Sequence, residues 1–73
     1  MTVELVTREG CHLCDEALGL LRELGVEPVL RDVDADASLF TLYDFRVPVV
    51  LQHGRVVGEG RLDRERLRRT LRL

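Results

Sequence analysis

The chain has 73 residues, 33% of them charged, and a formal charge of −2. That length holds one domain, residues 1–73, with one modest core. Two cysteines are too few for a secreted disulfide scaffold. No apolar run approaches the roughly 18 residues that a membrane-spanning helix needs. All eleven basic residues are arginine, and six of them crowd into residues 61–73 against two acids there. With the remainder of the chain acidic, that segment reads as the solvated face of an amphipathic helix and not as a nucleic-acid arm. Residues 1–6 carry neither a basic leader nor a long apolar stretch, so the expected compartment is the reducing cytoplasm.

The elements follow in chain order. Thr2 to Thr7 reads as a strand, with Val3, Leu5 and Val6 bounded by the polar Arg8-Glu9-Gly10 turn. From Leu13 the period changes: Leu13, Ala17, Leu20, Leu21 and Leu24 share one helical face, and Gly25 is placed to end the helix. Pro28 to Val33 reads as a second strand. Asp34-Ala35-Asp36 can cap a short helix whose apolar side is Leu39, Phe40, Leu42 and Tyr43. Tyr43 and Phe45 are expected to pack in the core or at its rim. Val47 to Leu51 reads as a third strand, and His53-Gly54 as a two-residue hairpin turn. Arg55 to Val57 returns as the fourth strand, which Gly58 and Gly60 break. Asp63 is a candidate N-cap for a last helix carrying Leu67 and Leu71. The predicted order is β-α-β-α-β-β-α, an α/β fold.

Cys11-His12-Leu13-Cys14 carries the chemistry. The two cysteines sit three apart, after a strand and at the start of a helix. A thiol at a helix N-terminus meets the positive end of the dipole and spare backbone N–H groups, both of which favour the thiolate that attacks disulfides. A second thiol one turn later can close the ring. The competing metal reading is weaker: a zinc site takes four ligands, and only His12 and His53 could add to the thiols. Nearby charges act in opposite directions, Arg8 favouring a thiolate and Glu9, Asp15 and Glu16 opposing it. His12 reads as an exposed helix-start residue, and His53 as a plain turn residue.

Taken together, strand–CxxC–helix over Val3 to Gly25, Val47-Pro48 opening the third strand, and Gly58 to Gly60 followed by Asp63 resemble the thioredoxin superfamily, and by length the glutaredoxins. The runs GCHLC, DVDAD and RVPVV are similar to a branch of small bacterial glutaredoxin-like proteins. The resemblance implies a thioredoxin-like fold, with a four-stranded mixed sheet in order 2-1-3-4 flanked by helices. It implies Cys11 as nucleophile and Cys14 as resolving thiol, Pro48 as a cis-proline beside them, and Val47 as the residue offering backbone groups to an incoming chain. Arg8, Arg46 and Asp63 are candidates to meet the charged ends of glutathione, with Gly60 lining its site; the competing reading makes Arg8 and Arg46 solvated turn charges and Asp63 a helix cap. The chain departs from familiar glutaredoxins in having His12-Leu13 between the cysteines and in splitting the paired glycines as Gly58-Glu59-Gly60, which weighs against glutathione specificity.

The resemblance therefore implies a monomeric thiol–disulfide oxidoreductase acting on a disulfide-bearing protein or small molecule. It would hold no bound cofactor or metal and would draw electrons from glutathione or a thioredoxin-reductase-like flavoenzyme. Nucleic acid and membranes are not expected partners. The alternative in a second class is a glutaredoxin-like module that holds an iron–sulfur cluster or senses redox state without turnover.

Overall fold

In the computed structural model, which describes residues 2–73, the elements are β1 (Val3–Thr7), α1 (His12–Glu23), β2 (Val29–Asp32), α2 (Ala37–Tyr43), β3 (Val49–Gln52), β4 (Arg55–Glu59) and α3 (Arg64–Thr70). The sheet runs β2-β1-β3-β4. β1 is parallel to β2 and antiparallel to β3, and β3 is antiparallel to β4. This is the thioredoxin-like order.

Alternation along β1 decides which helices cover which face. Val3 and Leu5 point to the side covered by Ala17 and Leu21 of α1 and by Leu67 and Leu71 near α3. Val6 points to the other side, where Val33, Val49, Leu51 and Tyr43 of α2 gather. The arginine-rich C-terminal segment is the amphipathic helix its pattern predicts: Leu67 and Leu71 are buried, while Arg64, Arg66 and Arg69 face solvent.

Each helix begins on a side chain that accepts its spare amide hydrogens. Asp36 Oδ1 accepts from the N–H groups of Ser38 (2.8 Å) and Leu39 (3.1 Å), and Asp63 Oδ1 from Arg66 (2.9 Å). Cys11 performs this role for α1. The end of α1 also follows the predicted chemistry. Gly25 adopts φ 82°, its N–H donates to the Arg22 carbonyl, and the Val26 N–H donates to the Leu21 carbonyl. That paired arrangement needs a residue at ease with positive φ.

Several boundaries differ from the sequence reading. β2 is shorter than predicted and exposed at all four residues, as it lies at an edge of the sheet. β3 starts at Val49, two residues later than predicted, because Pro48 has no N–H for the ladder. β4 runs on through Gly58 to Glu59, since Gly58 stays opposite Val50 while the ladder absorbs one extra residue as a bulge. In α2 only Tyr43 is buried and Leu39 partly so, whereas Phe40 and Leu42 are 46% and 56% exposed. A seven-residue helix lays only its i, i+4 stripe on the sheet. Phe45, expected to pack, is 96% exposed.

Leu21 is fully buried between the sheet and α1. Leu21→Ala is expected to cost about 2–5 kcal/mol, a large share of what so small a domain possesses. Phe45→Ala is expected to stay within about 0.5 kcal/mol. Urea unfolding of both variants checks the pair. Equal losses would show that the core is not where the structure puts it.

Candidate active site

β1 ends in a turn that Gly10 takes at φ 76° and that the Cys11 N–H closes on the Arg8 carbonyl at 3.2 Å. Cys11 is thereby extended at the N-cap of α1, with φ −90° and ψ 108°. Its Sγ accepts the Cys14 N–H at 3.1 Å. Cys11 and Cys14 form a disulfide with their Cα atoms 5.2 Å apart, an ordinary separation for such a bridge. The two sulfurs are not equivalent. Cys14 is 3% exposed and lies on the inward stripe with Ala17 and Leu21, whereas Cys11 is only half-buried. Of the two sulfurs, that of Cys11 is the one nearer to solvent.

The loop before β3 reaches the same end of the sheet. The β1–β3 register pairs Val6 with Val49, which brings Pro48 level with Thr7, just before the Cys11 turn. The Val47–Pro48 peptide is cis, Pro48 is fully buried and Val47 is half-buried. The Pro48 carbonyl accepts the Gly60 N–H at 2.8 Å, with Gly60 at φ 67°. Cys11, Cys14, Val47, Pro48 and Gly60 thus converge on one rim. Beside it, a groove of about 390 Å³ runs between α1 and residues 60–62, lined by Leu13, Glu16, Leu20, Gly60 and Leu62.

The three charged residues that the resemblance assigns to glutathione have partners within the chain. Arg8 clasps the Asp34 carboxylate through Nε and Nη2, both at 2.8 Å. It also donates to the Asp44 carbonyl (3.0 Å) and Oδ1 (2.6 Å). One guanidinium so ties the Cys11 turn to the loops on either side of α2. These hydrogen bonds, to Asp34 first and then Asp44, hold Arg8 firmly protonated, and Arg8 holds the Asp34 carboxyl below its usual range. Arg46 grips Glu59 with two bonds of 2.9 Å, and its guanidinium lies 5.2 Å from the Tyr43 ring centre. The bond to Arg46 lowers the Glu59 carboxyl, and the bond to Glu59 raises Arg46. Asp63 is the cap of α3.

His12 is exposed, with Nε2 3.2 Å from Glu16. Among the described residues, no three His, Cys, Asp or Glu side chains gather as a metal site. The partners Asp34, Asp44 and Glu59 were not singled out from the sequence as site residues. The acid-rich run Asp32-Val33-Asp34-Ala35-Asp36 is a signal for Asp34 alone; Asp44 and Glu59 have none in the sequence.

A helix-capping CxxC on a four-stranded 2-1-3-4 sheet defines a thioredoxin-like protein suited to thiol–disulfide redox chemistry. The chain belongs to the glutaredoxin-like family: it matches the Glutaredoxin-like domain (DUF836) over residues 2–72. Uncharacterized protein Rv0508 of Mycobacterium tuberculosis and uncharacterized protein Mb0520 of Mycobacterium bovis are each 39% identical over 75 residues, spanning 90% of this chain and 77% of theirs. The X-ray structure of target protein XcR50 from X. campestris superposes with a TM-score of 0.83 at 34% identity, over 97% of this chain and 96% of that one. A mutant of the thioredoxin-like protein BC3987 superposes with a TM-score of 0.74 at 28% identity, over 96% and 99%. No helix among the described residues is long and apolar enough to cross a membrane.

A carboxyl held low in the folded state adds stability above its unfolded pKa and loses it as pH falls through its folded value. Asp34 moves in that direction because of Arg8. Arg8→Gln is therefore expected to lower the urea midpoint at neutral pH, with the deficit shrinking as pH drops below about 4. A deficit of equal size at pH 3 and pH 7 would show that Arg8 does not act through its carboxylate partners.

Proposed function

We propose that this protein is a dithiol–disulfide oxidoreductase working in a reducing compartment. The observation that carries the reading is the inequality of the two sulfurs, one presented at the helix cap and the other buried a turn behind it. The reduced Cys11 thiolate attacks one sulfur of a substrate disulfide. That bond breaks, the departing substrate sulfur takes up a proton, and Cys11 is left in a mixed disulfide. Cys14, deprotonated, then attacks the Cys11 sulfur and releases the second substrate thiol. The substrate gains two electrons and the protein ends with Cys11–Cys14 oxidised. A thiol reductant such as glutathione, or a thioredoxin-reductase-like flavoenzyme, restores the dithiol.

Three features support the reading. The Cys14 N–H donated to the Cys11 sulfur, together with the helix N-terminus, favours the thiolate. Burial of Cys14 on the same helical stripe as Ala17 and Leu21 keeps the resolving thiol from foreign disulfides. Val47 lies in the loop at the cysteine end of the sheet, where its backbone groups can meet an extended substrate segment.

Cys11→Ser is expected to reduce disulfide turnover to the background rate. Cys14→Ser is expected to accumulate mixed disulfides visible by mass spectrometry under non-reducing conditions. Full dithiol activity in Cys11→Ser would reverse the assignment of roles. Absence of any trapped species in Cys14→Ser, with substrate consumed normally, would remove the resolving step.

A further inference from the structure

The ion pairs at the rim bear on which disulfides the site accepts, and the inference rests on the dithiol reading above. Arg46 lies one residue before Val47-Pro48, and Glu59 one residue before Gly60, whose N–H bonds Pro48. The two-bond Arg46–Glu59 pair therefore flanks the Val47–Pro48 loop where a substrate would lie. A guanidinium fork is the natural receiver for a substrate carboxylate, and here the fork is filled from inside the chain. Arg8 is filled in the same way by Asp34 and Asp44. Arg61, the third arginine at this end, sits 4.0 Å from Glu16.

The carboxylates also outnumber the cations. Residues 7–16, 32–36, 44–49 and 59–63, which form this end of the sheet, hold three arginines and nine acids. Their formal charge is −6 in a chain whose total is −2. An anionic disulfide thus meets a net negative rim on which Arg61, 78% exposed and only loosely paired with Glu16, is the more open cation, while a disulfide flanked by basic side chains meets attraction.

We infer that Glu59 is a specificity-determining residue: by occupying Arg46 it closes the site to anionic disulfides such as oxidised glutathione and reserves it for disulfides in neutral or basic polypeptide segments. Discrimination of this kind is built from a denied contact as much as from an attractive one. Phe45, exposed beside Arg46, offers such a segment an apolar contact that a small anionic disulfide cannot use.

The test uses the full chain, reduced beforehand with dithiothreitol and freed of it, in single-turnover reactions. The oxidants are oxidised glutathione, the uncharged hydroxyethyl disulfide, and two cyclic disulfide peptides differing only in flanking lysines or glutamates. Wild type is expected to reduce the lysine peptide about tenfold faster than the glutamate peptide at low salt, and the gap should close as salt rises. Glu59→Gln is expected to raise the glutathione-to-hydroxyethyl rate ratio about fivefold, the reach of one unit charge at contact in water. The matched control is Glu27→Gln, which breaks the two-bond Arg22–Glu27 pair at the far end of α1 and is expected to leave that ratio unmoved. Equal rates for the two peptides, or an unchanged ratio in Glu59→Gln, overturns the specificity inference while leaving the dithiol reading intact. Failure to reduce even the uncharged disulfide overturns the dithiol reading itself, and the inference with it.

Discussion

The first turn of an α-helix has amide hydrogens with no carbonyl to meet, and in α1 one of them is met by sulfur. Cys11 stands where Asp36 and Asp63 stand in the other two helices. A capping carboxylate is satisfied and inert, whereas a capping thiolate is stabilised and still nucleophilic. Everything that makes the pair asymmetric follows from that placement. The N-cap is outside the helix and can be approached. The residue three positions on is inside the first turn and faces the sheet.

In the proposed mechanism the thiolate is favoured by backbone groups and not by a side-chain cation. Arg8 is the obvious cation next to Cys11, yet its guanidinium is taken up by Asp34 and Asp44. It serves the site as a strut, fixing the Cys11 turn against the loops that flank α2. Arg46 and Glu59 do the same across the Val47–Pro48 loop and the end of β4. Both cross-links span loops at the rim, and they occupy the arginines that the family resemblance assigns to glutathione.

Much of this was legible in the chain itself. The β-friendly run at Val3, Leu5 and Val6, the helical stripe through Ala17 and Leu21, the Gly25 stop and the Asp63 cap are local signals, and each sits where its local chemistry puts it. Resemblance at Cys11, Cys14 and Val47-Pro48 supplied the sheet order, which no local signal contains. What the sequence does not carry is which charges meet. Asp34 and Asp44 lie 26 and 36 positions from Arg8, and nothing in the spacing says which carboxylates it selects. The exposure of Phe40, Leu42 and Phe45 was hidden for a related reason, because how much of α2 the sheet covers depends on tertiary placement.

The proposed mechanism requires the cap-position sulfur of α1 to ionise more readily than an ordinary cysteine. Thiolate absorbance near 240 nm in the reduced protein, followed across a pH titration, reads this directly. One thiolate is expected to appear below the ordinary cysteine value of about 8.5 and to disappear in Cys11→Ser. No thiolate until alkaline pH, or an early thiolate that persists in Cys11→Ser, would contradict it.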